Sequence, residues 1–406
     1  MPVYDLAMIA AAMAVAFVVL RPSMIAMPDW RATITPLASI IGSGFLVVGP
    51  ILAHVAGNFA WVAMLALCAV AYLFGFAIRR NILYVEPAMG HEPPTSVVIL
   101  EQASHFVLAF CYFISVAYYL NLFASFGLRG IGVVNEDATR IVASATVVGI
   151  GGYGLWHGLR GLETVEELAV GIKLSLIAGL LAAMALAIGY MFTSGKRMLP
   201  PLNHETGLEE LRVLMGLVIL VQGFETSRYL GSSYDRQTRV RTMRYAQILS
   251  TAIYVAFILL LTPFFTGRLP AKGGETAIID LLSSLGPLVV PLIIVAAVAS
   301  QLSAAVADMN GASGMLSVAT SQRISMGAGY VMTAVAALIV TWSANIFEII
   351  VYATRAFVIY YALQCALAGL MAMTPGPHRN VKLAMVFAGA TLLAIVIVAL
   401  GIPAKV

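Results

Sequence analysis

Long, uninterrupted apolar segments are the feature that most constrains this chain. A helix needs about 20 apolar residues to cross the hydrocarbon core of a bilayer. Segments of this kind do not alternate polar and apolar residues as the strands of an outer-membrane barrel do. They predict an all-α polytopic membrane protein with about 12 transmembrane helices. The predicted segments are 4–20, 35–56, 58–78, 96–127, 139–157, 164–192, 211–231, 245–267, 276–307, 327–343, 346–373 and 381–401.

The composition excludes most other classes of protein. The chain is 61% hydrophobic and 10% charged, whereas soluble domains carry about 25% charged residues. A soluble enzyme, a nucleic-acid-binding protein and a disulfide-rich secreted domain are therefore excluded. All three cysteines lie inside apolar segments, so we expect buried thiols and no disulfide. No metal-binding Cys/His cluster and no cofactor motif is present, and the oligomeric state is not determined.

Charge placement predicts the orientation in the membrane. Asp5 precedes the first segment and Arg21 follows it, which favours a retained helix with its N-terminus outside. Four arginines crowd one short connection between 236 and 244, and arginine-rich loops face the cytoplasm. We expect an integral protein of a bacterial inner membrane, with the lipid bilayer as a partner and no nucleic acid.

Two of the apolar segments are interrupted. One contains Gly42-Ser43-Gly44 and the other contains Gln222-Gly223, and Gly42 and Gly223 are 181 residues apart. Glycine costs a helix interior about 1 kcal/mol relative to alanine, so we expect both helices to unwind there around a hollow. Unwound helix ends offer N–H groups to an anion and C=O groups to a cation. The alternative is that these glycines only allow close helix packing.

The two interruptions divide the chain. Each interrupted segment is the first of five consecutive segments. Because five is odd, the second group starts on the opposite side of the membrane from the first, so the two groups have opposite topology. Matched interruptions of this kind point to an inverted-repeat transporter. The predicted divisions are 1–34 for an extra N-terminal helix and loop, 35–192 and 193–373 for the two repeats, and 374–406 for a C-terminal helix.

The motifs resemble those of one transporter family. Ile41-Gly42-Ser43-Gly44-Phe45 is similar to the first-helix glycine motif of the amino acid–polyamine–organocation (APC) superfamily, and Gly223-Phe224-Glu225 resembles its sixth-helix motif. Lys173 stands where several members carry a fifth-helix lysine, and 307–323 is more loosely similar to the eighth helix. The resemblance implies the LeuT-like five-plus-five fold. The extra N-terminal helix and the single helix after the repeats depart from the usual pattern.

The resemblance also implies a binding site for a small solute, an amino acid or an amine. The carboxylate of the solute would bind N–H groups near Ser43, and its amine would bind carbonyls near Gln222. Tyr112 either walls this pocket or packs in the core. The substrate-binding residues that we expect are Ile41, Gly42, Ser43, Gly44, Phe45, Tyr112, Val221, Gln222, Gly223 and Phe224.

Five further residues are candidates for ion coupling or gating. By resemblance, the Lys173 ammonium replaces a sodium ion and bridges the first motif helix to the eighth; alternatively it is a static cation paired with an acid. The others each have a functional and a structural interpretation. Glu225 forms a hydrogen bond across the break, responds to protons as a gate, or pairs with Arg228. Ser303 binds a cation or packs, and Asp308 favours sodium or neutralises Lys173. Arg355 binds an anionic group, locks a gate with an acid or forms a structural pair.

The sequence therefore predicts a secondary active transporter that works by alternating access, driven by protons or by exchange. No ATP-binding motif is present. Two alternatives remain: a sodium-coupled symporter, and a sensor that keeps the transporter fold without transport. An intramembrane enzyme would need paired acids, metal ligands or a nucleophile with a base, and no convincing set is found, so we expect no enzymatic activity.

Overall fold

The computed structural model describes residues 3–90, 94–158, 163–195, 207–265, 273–375 and 379–404, without the side chains of 43, 163–169 and 232. These residues form helices joined by short connections. The helices are α1 Val3–Val19, α2 Pro22–Ile25, α3 Pro28–Ala56, α4 Ala60–Ala88, α5 Thr95–Gly130, α6 Glu136–His157, α7 Glu163–Thr193, α8 Leu208–Met215, α9 Arg236–Leu261, α10 Ile278–Leu282, α11 Val289–Ala319, α12 Met326–Ser343, α13 Ile346–Met373 and α14 Val381–Leu400.

Helix length confirms an integral membrane protein. Eight stretches of the described chain are long and apolar enough to cross a bilayer, and one of them contains both α3 and α4. The predicted segments match helices in order, with one exception. Segment 276–307 begins too early, because Gly286-Pro287 separates α10 from α11 and a proline cannot continue the helix before it. The crossing helix α11 starts at Val289 and continues to Ala319.

Helix packing shows a repeated arrangement. Helix α3 packs on α9, and the broken region after α8 packs on α4; helix α5 packs on α13, and α11 packs on α7. Helices that hold the same place in the two groups also touch. The second helices, α4 and α9, pack on each other, and so do the third helices, α5 and α11. These contacts of one five-helix group therefore have equivalents in the other, as expected for a five-plus-five inverted repeat. The residue boundaries between the groups stay a prediction.

The extra helix α1 lies against α7 through small residues. A methyl group at Gly179 would lie 2.6 Å from the carbonyl oxygen of Met8, and one at Gly171 would lie 2.4 Å from Leu20. Glycines on one helix face let two backbones approach closely within a bilayer. The extra helix is thus part of the packed bundle.

Polar caps fix where helices begin at the membrane surface. Asn135 accepts the Ala138 N–H at the start of α6, and Asp235 accepts the N–H groups of Gln237 and Thr238 at the start of α9. The donors of Thr238, its hydroxyl first, lower the pKa of the exposed Asp235 carboxyl below its usual value. The cap therefore stays ionised at neutral pH.

The prediction that the first motif unwinds is wrong for this structure. Helix α3 continues from Pro28 to Ala56, although Pro36 and Pro50 lie inside it. A methyl group at Gly44 would lie 2.5 Å from the Leu220 side chain and 3.0 Å from its Cα atom. The absence of a side chain at Gly44 therefore allows α3 to pack closely against the second motif. The two motifs touch where we expected a hollow.

We predict that Gly44→Ala lowers the thermal stability of the purified protein in detergent. The added methyl group must displace Leu220, including its backbone, and overpacking of this kind costs about 1–3 kcal/mol. Gly389→Ala in α14 is the matched control, because no heavy atom lies within 4 Å of a methyl group there. Equal melting temperatures for the two variants would contradict the packing role of Gly44.

Candidate functional site

The second motif is broken as predicted. Helix α8 ends at Met215 with Gly216 as its C-cap, a 3-10 turn covers Val218–Val221, and a second 3-10 segment covers Phe224–Ser232. Gly223 between the turns has φ = 119°, which residues with a side chain rarely adopt. Its backbone lies against Ser39 and Ile40 of α3, since a methyl group at Gly223 would approach the Ile40 nitrogen to 2.6 Å.

Side chains satisfy the backbone groups that the break releases. The hydroxyl of Tyr254 lies 2.7 Å from the Leu220 carbonyl oxygen and 3.0 Å from that of Ile40. Thr354 donates to the Gly216 carbonyl at 2.6 Å and accepts the Ile219 N–H at 3.2 Å. An unwound segment inside a membrane is tolerated where the protein provides such partners.

Glu225 lies at the start of the second half of the broken helix. Its carboxylate is fully buried, and Oε2 accepts the Gly223 N–H at 3.0 Å and the Tyr361 hydroxyl at 2.9 Å. Its other oxygen, Oε1, has no hydrogen-bond partner. The ring of Tyr361 stacks between those of Phe224 and Phe74, with centroids 5.1 and 5.3 Å away. The site therefore contains an unsatisfied acceptor in aromatic surroundings.

Gln222 adds a second acceptor at the break. Its amide nitrogen donates to the Tyr119 hydroxyl at 3.1 Å, while its oxygen has no partner. Tyr112 of α5 packs against Gly311 of α11, and its ring meets that of Phe357 of α13 at 6.0 Å. Helices α5 and α13 thus place aromatic side chains at the break.

Lys173 lies between α3 and α11, as the resemblance implies. Its ammonium donates to the Ala38 carbonyl at 3.1 Å. A methyl group at Gly42 would lie 3.5 Å from this nitrogen and 3.7 Å from the Ser300 hydroxyl. The structure thus places both the lysine and Ser300 beside Gly42, whereas Ser303 was the serine expected to bind a cation. A role for Ser303 stays a prediction.

A narrow cavity of about 40 Å³ connects Lys173 with the extra helix. Met8 of α1 and apolar side chains of α3, α7 and α11 line it. This volume holds about one water, since one water occupies about 30 Å³. The side-chain oxygen of Gln301, a residue that also lines this cavity, has no hydrogen-bond partner.

Asp308 and Arg355 have partners that the sequence did not indicate. Ser115 of α5 donates to the Asp308 carboxylate. Arg355 donates to the Gly401 carbonyl at 3.0 Å, so in this structure its guanidinium holds the backbone of the C-terminal segment where an acid was expected. Whether either side chain takes part in coupling or gating stays a prediction.

A buried ion network that was not expected from the sequence lies near the arginine-rich connection. Arg228 donates to Glu101 at 2.7 Å, and Arg239 holds both oxygens of Glu86 at 3.0 and 2.6 Å. Arg239 also donates to the Arg228 carbonyl at 2.7 Å. The predicted pair between Glu225 and Arg228 is therefore wrong, because each side chain has another partner on a different helix.

The network joins α4, α5, α9 and the second half of the broken helix, so it closes the end that charge placement assigns to the cytoplasm. The sequence signal for this network was Arg228, a charged residue within the apolar segment 211–231. The partners lie more than a hundred residues apart, which is why spacing along one helix did not reveal them.

A polar vestibule of about 760 Å³ lies at the opposite end of the bundle. It is bounded by the end of α5, the start of α6, the connection before α10 and the start of α13. Pro403 and Ala404 of the C-terminal segment also line it. Among the residues that the structure describes, no group of three or more His, Cys, Asp or Glu side chains could hold a metal ion.

Comparison with known proteins gives the family. A model of APC superfamily transporters matches residues 22–401. A protein of Aquifex aeolicus (strain VF5), described as uncharacterized, is 42% identical over 346 residues, which is 84% of each chain. The chain therefore belongs to the APC superfamily and is a membrane transporter.

One solved structure is also similar. It is a Na+-coupled sialic acid symporter in a substrate-bound, outward-open state. The match covers 99% of this chain and 98% of that one, with 14% identity and a TM-score of 0.49.

We predict that Arg228→Met destabilises the protein strongly. Removing one partner leaves buried Glu101 without its main counter-charge, which costs about 3–5 kcal/mol. Adding Glu101→Gln restores part of the loss, because the unpaired charge disappears. Thermal unfolding in detergent measures both effects.

The control for this prediction is Arg140→Met, which breaks an exposed ion pair with Glu136 on one helix. Exposed pairs contribute about 0–1 kcal/mol. An Arg228→Met protein as stable as the Arg140→Met protein would contradict the structural role of the network.

Proposed function

We propose that the protein is a secondary active transporter of a small organic amine that lacks a carboxylate, and that protons or exchange drive it. The observation that carries this proposal is the unsatisfied Glu225 oxygen in the aromatic surroundings of the broken helix. A buried acceptor without a partner costs free energy, and an ammonium supplies both the donor and the opposite charge. The unsatisfied oxygen of Gln222 gives a second acceptor for the same donor.

The positions that would bind a carboxylate are already occupied. Helix α3 is continuous through Gly42–Phe45, so its N–H groups are committed to the helix. At the break, the Gly223 N–H donates to Glu225. A solute carboxylate would also enter a region that contains the acids Glu225 and Asp308. These features favour an amine over an amino acid.

The aromatic side chains support a cationic solute. Phe224, Tyr361, Phe357 and Tyr112 lie around the break, and the faces of such rings attract an ammonium within about 6 Å. The attraction is strongest where water is excluded, as it is in this buried region. Rings alone are more often packing elements, so this support depends on the two unsatisfied acceptors.

Lys173 is the residue that we propose for coupling. As an ammonium it donates a charge-assisted hydrogen bond to the Ala38 carbonyl, which holds α3 against α7. Loss of its proton removes the charge and weakens that bond. Proton binding would thus change how tightly the first motif helix is held, as alternating access requires.

The substrate class is tested with pairs of compounds that differ only in a carboxylate. Tyramine and tyrosine, histamine and histidine, and isoamylamine and leucine are such pairs. We expect the amine of at least one pair to raise the melting temperature and to be taken up by proteoliposomes. We expect Glu225→Gln to weaken amine binding at least tenfold, because the counter-charge is lost.

Preference for the amino acid in every pair would contradict the amine assignment. Binding of an amine without uptake would show a sensor with the transporter fold. The Asp280→Asn protein is a matched control, since this acid is exposed and pairs with Arg129 away from the break.

Coupling is tested with imposed gradients. We expect uptake of the amine to follow a pH gradient, and we expect Lys173→Met to abolish accumulation while exchange of labelled for unlabelled amine continues. Uptake that follows a sodium gradient, or a Lys173→Met protein that still accumulates the amine under a pH gradient, would overturn the coupling role.

A further inference from the structure

The chain after α14 forms a short strap, Gly401–Ala404, on the vestibule side of the bundle. Arg355 of α13 donates to the Gly401 carbonyl at 3.0 Å. The Ile402 N–H donates to the Arg212 carbonyl of α8 at 3.1 Å, and the Arg212 side chain donates to the Leu400 carbonyl at 3.1 Å. The strap therefore ties α8, α13 and the end of α14 together.

The strap lies directly on the point where the broken helix begins to unwind. A methyl group at Gly216 would lie 2.4 Å from the Ile402 carbonyl oxygen, and one at Gly401 would lie 3.2 Å from the Gly216 nitrogen. Such backbone contact needs glycine on both sides. Gly216 is also the residue whose carbonyl Thr354 holds from α13.

The strap also borders the vestibule. Pro403 and Ala404 line it together with Ser125 of α5, and Ala404 is buried. A solute or a conformational change in the vestibule therefore reaches the strap without passing through the rest of the bundle. Helix α8 is the half of the broken helix that contacts the strap, so a movement of α8 relative to α13 must either break these contacts or carry the strap along.

We propose that the strap is a latch on the outer gate. It holds α8 in the closed position, and Arg355 is the residue that fastens it to α13. Opening of the vestibule toward the break requires the strap to leave Gly216 and Arg212. Arg355 is thus a positioning residue that acts through the backbone of the strap.

The latch is balanced by the ion network at the other end. Arg228 and Arg239 hold the inner half of the broken helix through ion pairs, in which donor and acceptor are both charged. The strap is held by hydrogen bonds from Arg355 and Arg212 to neutral carbonyls, and by the neutral N–H of Ile402. Because its acceptors carry no charge, we expect the strap to be the weaker of the two fastenings and to open first.

Cysteine labelling tests the latch without any solute. The three native cysteines, Cys68, Cys111 and Cys365, are buried, so a cysteine introduced at Ser125 reports on the vestibule with low background. Ser125 is only 6% exposed in the closed structure. The measurement is the rate at which a membrane-impermeant methanethiosulfonate modifies this cysteine in proteoliposomes.

Three variants release the strap in different ways. Arg355→Ala removes its donor, a stop codon after Leu400 removes the strap itself, and Gly216→Ala pushes it away sterically. We expect each to raise the rate of modification at Ser125→Cys by about tenfold, as the loss of one net hydrogen bond allows. Arg355→Lys keeps a donor and a charge, so we expect it to restore part of the wild-type rate.

The control site is Ser194→Cys, an exposed position at the end of α7 outside the vestibule. Its rate stays constant in all variants if the effect is local. Unchanged rates at Ser125→Cys in both the Arg355→Ala and the truncated protein, each eluting as a single species, would overturn the latch. Equal increases at both sites would show general loosening and would overturn it as well.

The proposal depends on the proposed function only because a gate requires a transport route. The labelling experiment uses no amine and no gradient. Failure of the latch leaves the uptake experiments untouched, and absence of uptake leaves the labelling rates interpretable.

Discussion

The need to satisfy backbone polar groups in a membrane governs this structure. A helix can unwind within the bilayer only where other groups replace its hydrogen bonds. At the break beside Gly223, the replacements are Tyr254, Thr354 and Glu225. The first motif has the same glycine-rich composition, yet α3 remains helical. The glycines permit unwinding in both motifs. The second motif unwinds, and there side chains of neighbouring helices bond the released backbone groups.

Much of the architecture follows from the sequence alone. Apolar segment length predicts the helices, and the spacing of the glycine motifs predicts two groups of five. The position of Lys173 between α3 and α11 follows from the resemblance. What the sequence does not contain is the identity of distant partners. Arg228 lies three residues from Glu225, but its strong ion pair is with Glu101, more than a hundred positions away. Pairing of that kind depends on packing that a single helix face does not reveal.

The glycines illustrate how one residue type supports two interpretations. At Gly223 the positive φ requires glycine, and the chain turns sharply there. At Gly44 the conformation is helical, and the absence of a side chain admits Leu220. Both interpretations are consistent with the sequence, and the choice depends on what lies opposite. The two motifs are in close contact in this conformation, through Gly44 on one side and Gly223 on the other.

The hydroxyl of Tyr254 lies between the carbonyls of Ile40 in α3 and Leu220 in the 3-10 turn before Gly223. One side chain of α9 therefore links the first motif helix to the broken helix. The two segments cannot separate while the tyrosine contacts both carbonyls. Any movement of one segment against the other must either carry α9 along or break one of these two contacts.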